Sequence, residues 1–262
     1  MAVVIKLGGS AMEDPAATTA VLRAVAEEHR RGTRLILVHG GGKPIDRAMA
    51  EAGLQPVKVQ GRRYTDAATL EIVVRVLKQI NAELATQLRS LGGHGVALDA
   101  QNQHVLRGER LLLPGLDLQP IDLGFVGKVT SVATDLLKDT MTVSILASIA
   151  VGSEGMLNIN ADSAASAVAG ALQAESCLFL TDTPGVLKNR HDPSSLATQL
   201  TVAECLDWIA TGIIDGGMIP KVEACLQAME AGAGCAVILD GRDTQSLSKW
   251  FAGTPTGTRI VR

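Results

Sequence analysis

An α/β fold, with a mostly parallel sheet covered by helices on both faces, is the class that the sequence predicts. Two observations carry it. Short β-branched runs alternate with amphipathic stretches, the order that builds strand–helix–strand units. Several of these runs are apolar nearly throughout, as strands covered on both faces must be. The 262 residues are 47% hydrophobic and 19% charged, enough apolar surface to close a large core and too little charge for extended disorder.

The clearest strands are read at Ala2–Leu7, Arg34–Val38, Met141–Ser148, Ser176–Asp182 and Cys235–Asp240. After the first, Asp14-Pro15 supplies an N-cap followed by a proline at the first helical position, and Gly32 closes that helix. A second helix runs from Pro44 or Ile45 to Gly53. The longest spans Asp66 to Leu91, where Leu70, Val74, Leu77, Ile80, Leu84, Leu88 and Leu91 recur by threes and fours. Such a stripe is ordinary core or, at a mean period of about 3.5, a contact with a symmetry mate, so this helix is the candidate homodimer interface. A small-residue helix follows Asp162, and another opens at Pro220 and ends at Gly232.

Composition excludes several classes. A net charge of −3 without a basic stripe disfavours nucleic-acid binding, and 2% aromatic residues leave no base-stacking platform. Cys177, Cys205, Cys225 and Cys235 form no C-x-x-C pair and no zinc spacing, and read as reduced, buried thiols. No H-x-x-x-H or H-E-x-x-H pair occurs: His29 and His104 read as structural, His39 as shaping its turn, and none as a metal ligand. The first residues enter a strand with no signal-peptide pattern, and no apolar run reaches the roughly 18 residues of a spanning helix. The expectation is a cytoplasmic protein without a membrane segment.

Two glycine-rich turns follow strands, Lys6-Leu-Gly-Gly-Ser10 and His39-Gly-Gly-Gly-Lys43. At the carboxyl ends of parallel strands such turns serve tight strand-to-helix packing or present backbone amides to an anion. Neither matches G-x-x-x-x-G-K-[ST], and no G-x-G-x-x-G occurs. Lys6 stands inside an apolar strand, tolerable if its amine snorkels out or meets a negative partner. Lys221 opens a helix, where a cation opposes the macrodipole unless a bound phosphate reverses the sign; the alternative is an ordinary surface lysine. In Asn158-Ile-Asn-Ala-Asp162, alternation puts Asn158 and Asn160 on one side. Their amides suit a carboxylate or amide ligand, and Asp162 either caps the next helix or orients the two lysines. Thr181-Asp-Thr-Pro-Gly-Val186 reads as a Pro-Gly turn of type II geometry.

With Gly61-Arg-Arg-Tyr-Thr65, Asp122-Leu-Gly-Phe-Val-Gly127 and Gly217-Met-Ile-Pro-Lys221, these segments run in order along nearly the whole chain. Together they resemble the amino-acid kinase family, and within it the acetylglutamate kinases. The resemblance implies a three-layer αβα sandwich around an open, mainly parallel sheet. Residues 1–175 would form a lobe for the acyl amino acid and for dimerisation, and residues 176–262 a lobe for ATP. It implies that Lys6 and Lys221 stabilise the transferring phosphoryl group and that Asp162 organises both. Gly41, Gly42, Arg63, Asn158 and Asn160 would hold the substrate, Arg63 by its carboxylate. Gly8, Gly9, Ser10, Asp182, Thr183, Pro184, Gly185, Val186, Leu187, Ile213 and Ile214 would line the nucleotide site.

The activity implied is ATP-dependent phosphorylation of the γ-carboxylate of N-acetyl-L-glutamate, in arginine biosynthesis, with Mg²⁺ delivered on the nucleotide and no protein metal site. The alternatives are a kinase for a carrier-protein-bound glutamate or α-aminoadipate, or a non-catalytic ligand sensor. Thr183-Pro184 departs from the commoner turn, and Lys128 stands where an acidic residue often follows Val-Gly, so Lys128 receives no role. Arginine-inhibited relatives carry a helix before the first strand; with strand one at Ala2, the expectation is an arginine-insensitive homodimer.

Overall fold

The computed structural model describes residues 2–98, 100–115 and 119–262, apart from the side chains of Ser10, Gln101 and Asn102. Its first half contains β1 (Ala2–Leu7), α1 (Gly9–Glu13), α2 (Pro15–Arg30), β2 (Arg34–His39), α3 (Gly42–Glu51), β3 (Lys58–Val59), β4 (Arg62–Arg63) and α4 (Ala67–Ser90). Then come β5 (Gly95–Leu98), α5 (Ala100–Gln103), β6 (Leu106–Leu113), β7 (Ile121–Val132), β8 (Val143–Ala147), β9 (Ile149–Gly152) and β10 (Gly155–Ile159). The last part holds α6 (Ala161–Ala171), β11 (Ser176–Thr181), β12 (Gln199–Thr201), α7 (Val202–Ala210), α8 (Ile219–Ala231), β13 (Cys235–Asp240), α9 (Ser246–Phe251) and β14 (Thr258–Val261).

Among the described residues an eight-stranded sheet runs in the order β12-β14-β13-β11-β1-β2-β8-β5. Its pairings are parallel except β13 with β14. Side chains of the central strands alternate between two cores, as the period of two requires. Val4, Ile36 and Val38 join the core built with Ala165 and Val168 of α6 and Ala228 of α8. Val3, Ile5, Leu35 and Leu37 join the core with Val21 and Val25 of α2 and Leu84 and Leu88 of α4. Apolar residues are needed on both faces of β1 and β2, which is why these strands carry no hydrophobic–polar alternation. The αβα class is as expected. The division at 175/176 falls between α6 and β11, and β11 pairs directly with β1, so one sheet crosses it.

The sequence reading contains no strand between residues 95 and 132, yet β6 and β7 stand there and close a small ring with β9 and β10. Their charged residues explain the omission: β6 interleaves Arg107, Glu109 and Arg110 with leucines, and much of it is exposed. Lys128 of β7 pairs with Glu109 of β6 at 2.9 Å on that outer surface.

Most element ends follow the sequence signals. Asp14 caps α2 by accepting from the Ala16 amide at 2.8 Å, and Gly32 beyond its end has φ +97°. Asp66 caps α4 through the Thr69 amide at 2.8 Å. Three ends differ. The strand expected from Met141 begins at Val143, because Asp139 ties down the Met141 amide and the Thr142 hydroxyl, leaving Met141 exposed. The helix expected from Pro44 begins at Gly42, with the Gly41 carbonyl accepting from Ile45 at 2.8 Å. Helix α6 is capped by Asn160, not by Asp162.

On α4 the leucine stripe divides. Leu77, Leu84 and Leu88 are buried, whereas Leu70, Val74, Ile80 and Leu91 are half-buried. All four cysteines are buried free thiols. Burial pushes Cys177 and Cys225 far up and Cys205 up to about 11. Among the described residues no helix is long and apolar enough to cross a membrane.

Candidate functional site

The glycine-rich turns leave the carboxyl ends of neighbouring strands β1 and β2, and two of their glycines, Gly8 and Gly41, have a steric reason. At Gly8 the chain passes so close to β11 that a Cβ would lie 2.4 Å from the Leu180 carbonyl oxygen. The same approach lets the Gly8 amide donate to that oxygen at 3.1 Å. At Gly41 a Cβ would meet the tips of Leu77 and Ile80 on α4, at 2.8 and 3.0 Å. Gly42 faces open space, leaving the first turn of α3 approachable. His39 is fully buried beneath this turn, with Nδ1 on the Gly40 carbonyl and Nε2 on Asn81 Oδ1. Burial lowers its pKa, and the contacts with Gly40 and Asn81 oppose that shift. Asn81, in turn held by the Leu98 carbonyl, is a buttress that the sequence did not flag.

Two cavities open here. One, of about 370 Å³, is lined by Lys6, Gly41, Gly42, Arg63, Asn158, Asn160 and Asp162, with Lys58 and Arg62 at its edge. The other, of about 330 Å³, is lined by Gly8, Gly9, Thr181, Asp182 and Lys221, and again by Lys6 and Asp162. They lie at the carboxyl ends of the strands, where open α/β sheets bind ligands.

Lys6 is 13% exposed and bonded to Asp162 at 2.8 Å, so the lysine inside the strand meets its negative partner. Lys221 does not share that partner. Its ammonium lies 2.5 Å from Asp182, and this hydrogen bond holds the Asp182 carboxyl below its ordinary range. Where Asp162 is expected to organise both lysines, this structure holds two separate lysine–carboxylate pairs, with α8 bringing Lys221 to the end of β11. The helices that carry Asp162 and Lys221 are still locked together. The buried Ser166 hydroxyl lies 2.9 Å from both the Asp162 and the Ala224 carbonyls, and Gly170 packs directly on Ala231.

On the other side, Arg63 leaves the β3–β4 hairpin and is almost entirely buried. Its guanidinium bonds the Asp46 carboxylate, the Gly42 carbonyl at 3.3 Å and Met49 Sδ at 3.1 Å. Asp46, one turn into α3, is a second residue missed from sequence. Asn158 donates to Thr65 Oγ1 at 3.1 Å, while the Thr65 backbone pairs with Leu123 and Phe125 of the Asp122–Gly127 segment. Asn160 spends its side-chain oxygen on the amides of Asp162 and Ser163, which leaves its NH₂ for a ligand.

The remaining expected nucleotide residues do not converge on the cavity. Val186 and Ile214 are core residues with 1% exposure, so their side chains cannot meet a ligand. Ile213 and Pro184 are exposed, and Thr183 and Leu187 half-buried. Gly185 has φ +146°, not the type II value, because the chain presses against Thr258: a Cβ would lie 2.5 Å from its hydroxyl. That hydroxyl accepts from the Val186 amide at 2.8 Å. Ser10 lies in α1, with its side chain outside the described residues. Among the described residues no group of three or more His, Cys, Asp or Glu is placed to hold a metal.

The sequence pattern of the amino acid kinase family matches residues 1–240. The acetylglutamate kinase of Symbiobacterium thermophilum is 40% identical over 99% of this chain and 91% of its own. That of Brachyspira hyodysenteriae is 40% identical over 94% of this chain and 85% of its own. Among solved structures, smu.665 from Streptococcus mutans UA159 superposes with a TM-score of 0.79 at 30% identity, covering 99% of this chain and 98% of that one. On sequence along nearly its whole length, and on the sheet and paired cavities just described, the chain belongs to the amino acid kinase family.

Proposed function

We infer that this chain is a kinase that uses ATP to phosphorylate the γ-carboxylate of N-acetyl-L-glutamate, a step of arginine biosynthesis. The observation that carries the site assignment is the meeting of two cavities at the Lys6–Asp162 pair. One side offers an arginine, two amide side chains and glycine N–H groups, which suit a small acylated dicarboxylate. The other offers Gly8, Gly9 and Lys221, which suit a polyphosphate.

The chemistry follows from these groups. A side-chain carboxylate of pKa about 4.3 is already ionised at neutral pH, so no general base is needed. The barrier is the approach of one anion to another. Lys6 and Lys221 offset that repulsion, and the rigid strand ends hold acceptor and donor in line. In this reading Lys221 exchanges Asp182 for a phosphate oxygen when nucleotide binds. Asp162, Asp182 and Glu13 are the carboxylates beside the phosphate cavity, and all three are engaged by lysines. That suits Mg²⁺ carried chiefly by the nucleotide's own oxygens, where it would neutralise phosphate charge.

The acceptor lobe and nucleotide lobe would meet at 175/176, and a homodimer would form through the half-buried Leu70, Val74 and Ile80 of α4. Sedimentation at micromolar concentration distinguishes that dimer from a monomer. The activity is tested by ATP turnover with hydroxylamine, which traps an acyl phosphate as a hydroxamate. Hydroxamate with N-acetyl-L-glutamate, and none with free L-glutamate or N-acetyl-L-aspartate, is expected. Silence with all three despite ATP binding would turn the assignment towards a carrier-bound acceptor or a non-catalytic sensor.

A further inference from the structure

The two cavities share five lining residues: Lys6, Gly9, Asp162, Glu13 and Lys43. The first three belong to the machinery already described. Glu13 and Lys43 do not, and they form an ion pair of 2.5 Å that links the end of α1 to the first turn of α3. The pair therefore lies at the junction through which a phosphoryl group passes from one cavity to the other.

Its physical character is that of a contact ready to exchange. The Lys43 side chain is 70% exposed and that of Glu13 34%, so solvent screens the attraction and the pair contributes little to folding. Lys43 is the second residue of α3, where a cation opposes the helix macrodipole, and the N-cap Gly41 has no side chain to satisfy the first amides. Lys43 thus sits where its charge is unfavourable to its own helix, offset at rest by Glu13. A polyphosphate at the junction, with several negative charges, is a better partner for this lysine than one half-exposed carboxylate.

We propose that Lys43 is a further nucleotide-binding residue, held off by Glu13 in the free protein and released to the terminal phosphates of the bound nucleotide. The proposal rests on the ATP reading above and adds a group that reading does not use. It gives the two partners opposite roles: Lys43 attracts the nucleotide, and Glu13 competes with it for the lysine.

That opposition supplies the test. Equilibrium binding of ATP without acceptor, and the KM for ATP at saturating N-acetyl-L-glutamate, are measured for wild type, Lys43→Met, Lys43→Arg and Glu13→Gln. Thermal melting confirms that each is folded. Lys43→Met is expected to weaken ATP about tenfold, the scale of one charge-assisted hydrogen bond, and Lys43→Arg to restore most of it. Glu13→Gln is expected to tighten ATP severalfold. A strap of purely structural value would make Lys43→Met and Glu13→Gln act alike, since both break the pair, and that result overturns the proposal. Unchanged ATP affinity in Lys43→Met also overturns it. If wild type makes no hydroxamate with N-acetyl-L-glutamate while the opposite shifts in ATP affinity persist, the acceptor assignment falls and this inference stands.

Discussion

Replacing Gly170 by alanine tests whether the α6–α8 contact sets the geometry of the site. The added Cβ would lie 2.3 Å from Ala231 Cβ, 2.6 Å from the Ala231 carbonyl oxygen and 2.9 Å from its carbonyl carbon. Two of these are backbone atoms near the end of α8, so no rotamer change relieves them; the helices must separate by about 1 Å or more to reach ordinary contact. Overpacking of this kind costs about 1–3 kcal/mol. Alanine's helix propensity returns up to about 1 kcal/mol. The net expectation is a loss of about 1–2 kcal/mol, or about 2–8 °C in Tm for a chain of this size. Activity should suffer further, because α6 carries Asp162 and α8 carries Lys221. A misplacement of about 1 Å can cost as much as 10²-fold. The Ser166 tether to Ala224 limits the displacement, so a fall in kcat of about tenfold is expected. Melting curves and steady-state rates on Gly170→Ala, and on Gly170→Ala with Ala231→Gly, supply the check. The double variant should recover only part of the loss, since the backbone contacts remain. A Tm at or above that of wild type, with kcat unchanged, would refute the reasoning.

The other expectations follow from single contacts. Lys6→Met and Lys221→Met should each lower kcat by about 10²-fold or more, as removal of a transition-state charge partner does, and a rate within threefold of wild type would exclude that lysine from the transfer. Arg63→Lys keeps the charge but loses the planar fork, so the KM for N-acetyl-L-glutamate should rise about tenfold with less change in kcat. Asp66→Ala removes the cap of α4 and should cost about 1 kcal/mol at neutral pH. The Thr69 amide depresses the Asp66 carboxyl below its ordinary 3.8, so the cap's contribution is full above that value and fades as pH falls through the lower native pKa. The Tm gap between wild type and Asp66→Ala should therefore close below about pH 3.8; a constant gap would show that capping is not its cause. Ellman's reagent should find no reactive thiol in the native chain and four in denaturant, given the burial of Cys177, Cys205, Cys225 and Cys235.

The sequence by itself determined the class of fold, its central strands and most helix ends, because those depend on neighbours along the chain. Doubly apolar strands, Asp14 before Pro15, Asp66 before α4 and Gly32 and Gly232 at helix ends are local signals, and the structure uses each of them. Lys6 and Lys221 were legible for a related reason: each is out of place locally, one inside an apolar strand and one in a helix's first turn.

Tertiary structure alone decided the partners. Asp46 behind Arg63, Asn81 behind His39 and Ser166 between the two helices are ordinary polar residues on amphipathic helices, and nothing in their spacing marks what they meet across the fold. Pairing is likewise a property of approach angle. Lys221 reaches Asp182 because α8 meets the end of β11, and a motif holding both lysines and both aspartates does not contain that angle. The strands of the small ring were hidden because an exposed, charge-bearing strand is defined by the strand beside it, not by its own composition. Glu13 and Lys43 lie thirty residues apart, and only the turn of two adjacent strands brings them to one junction.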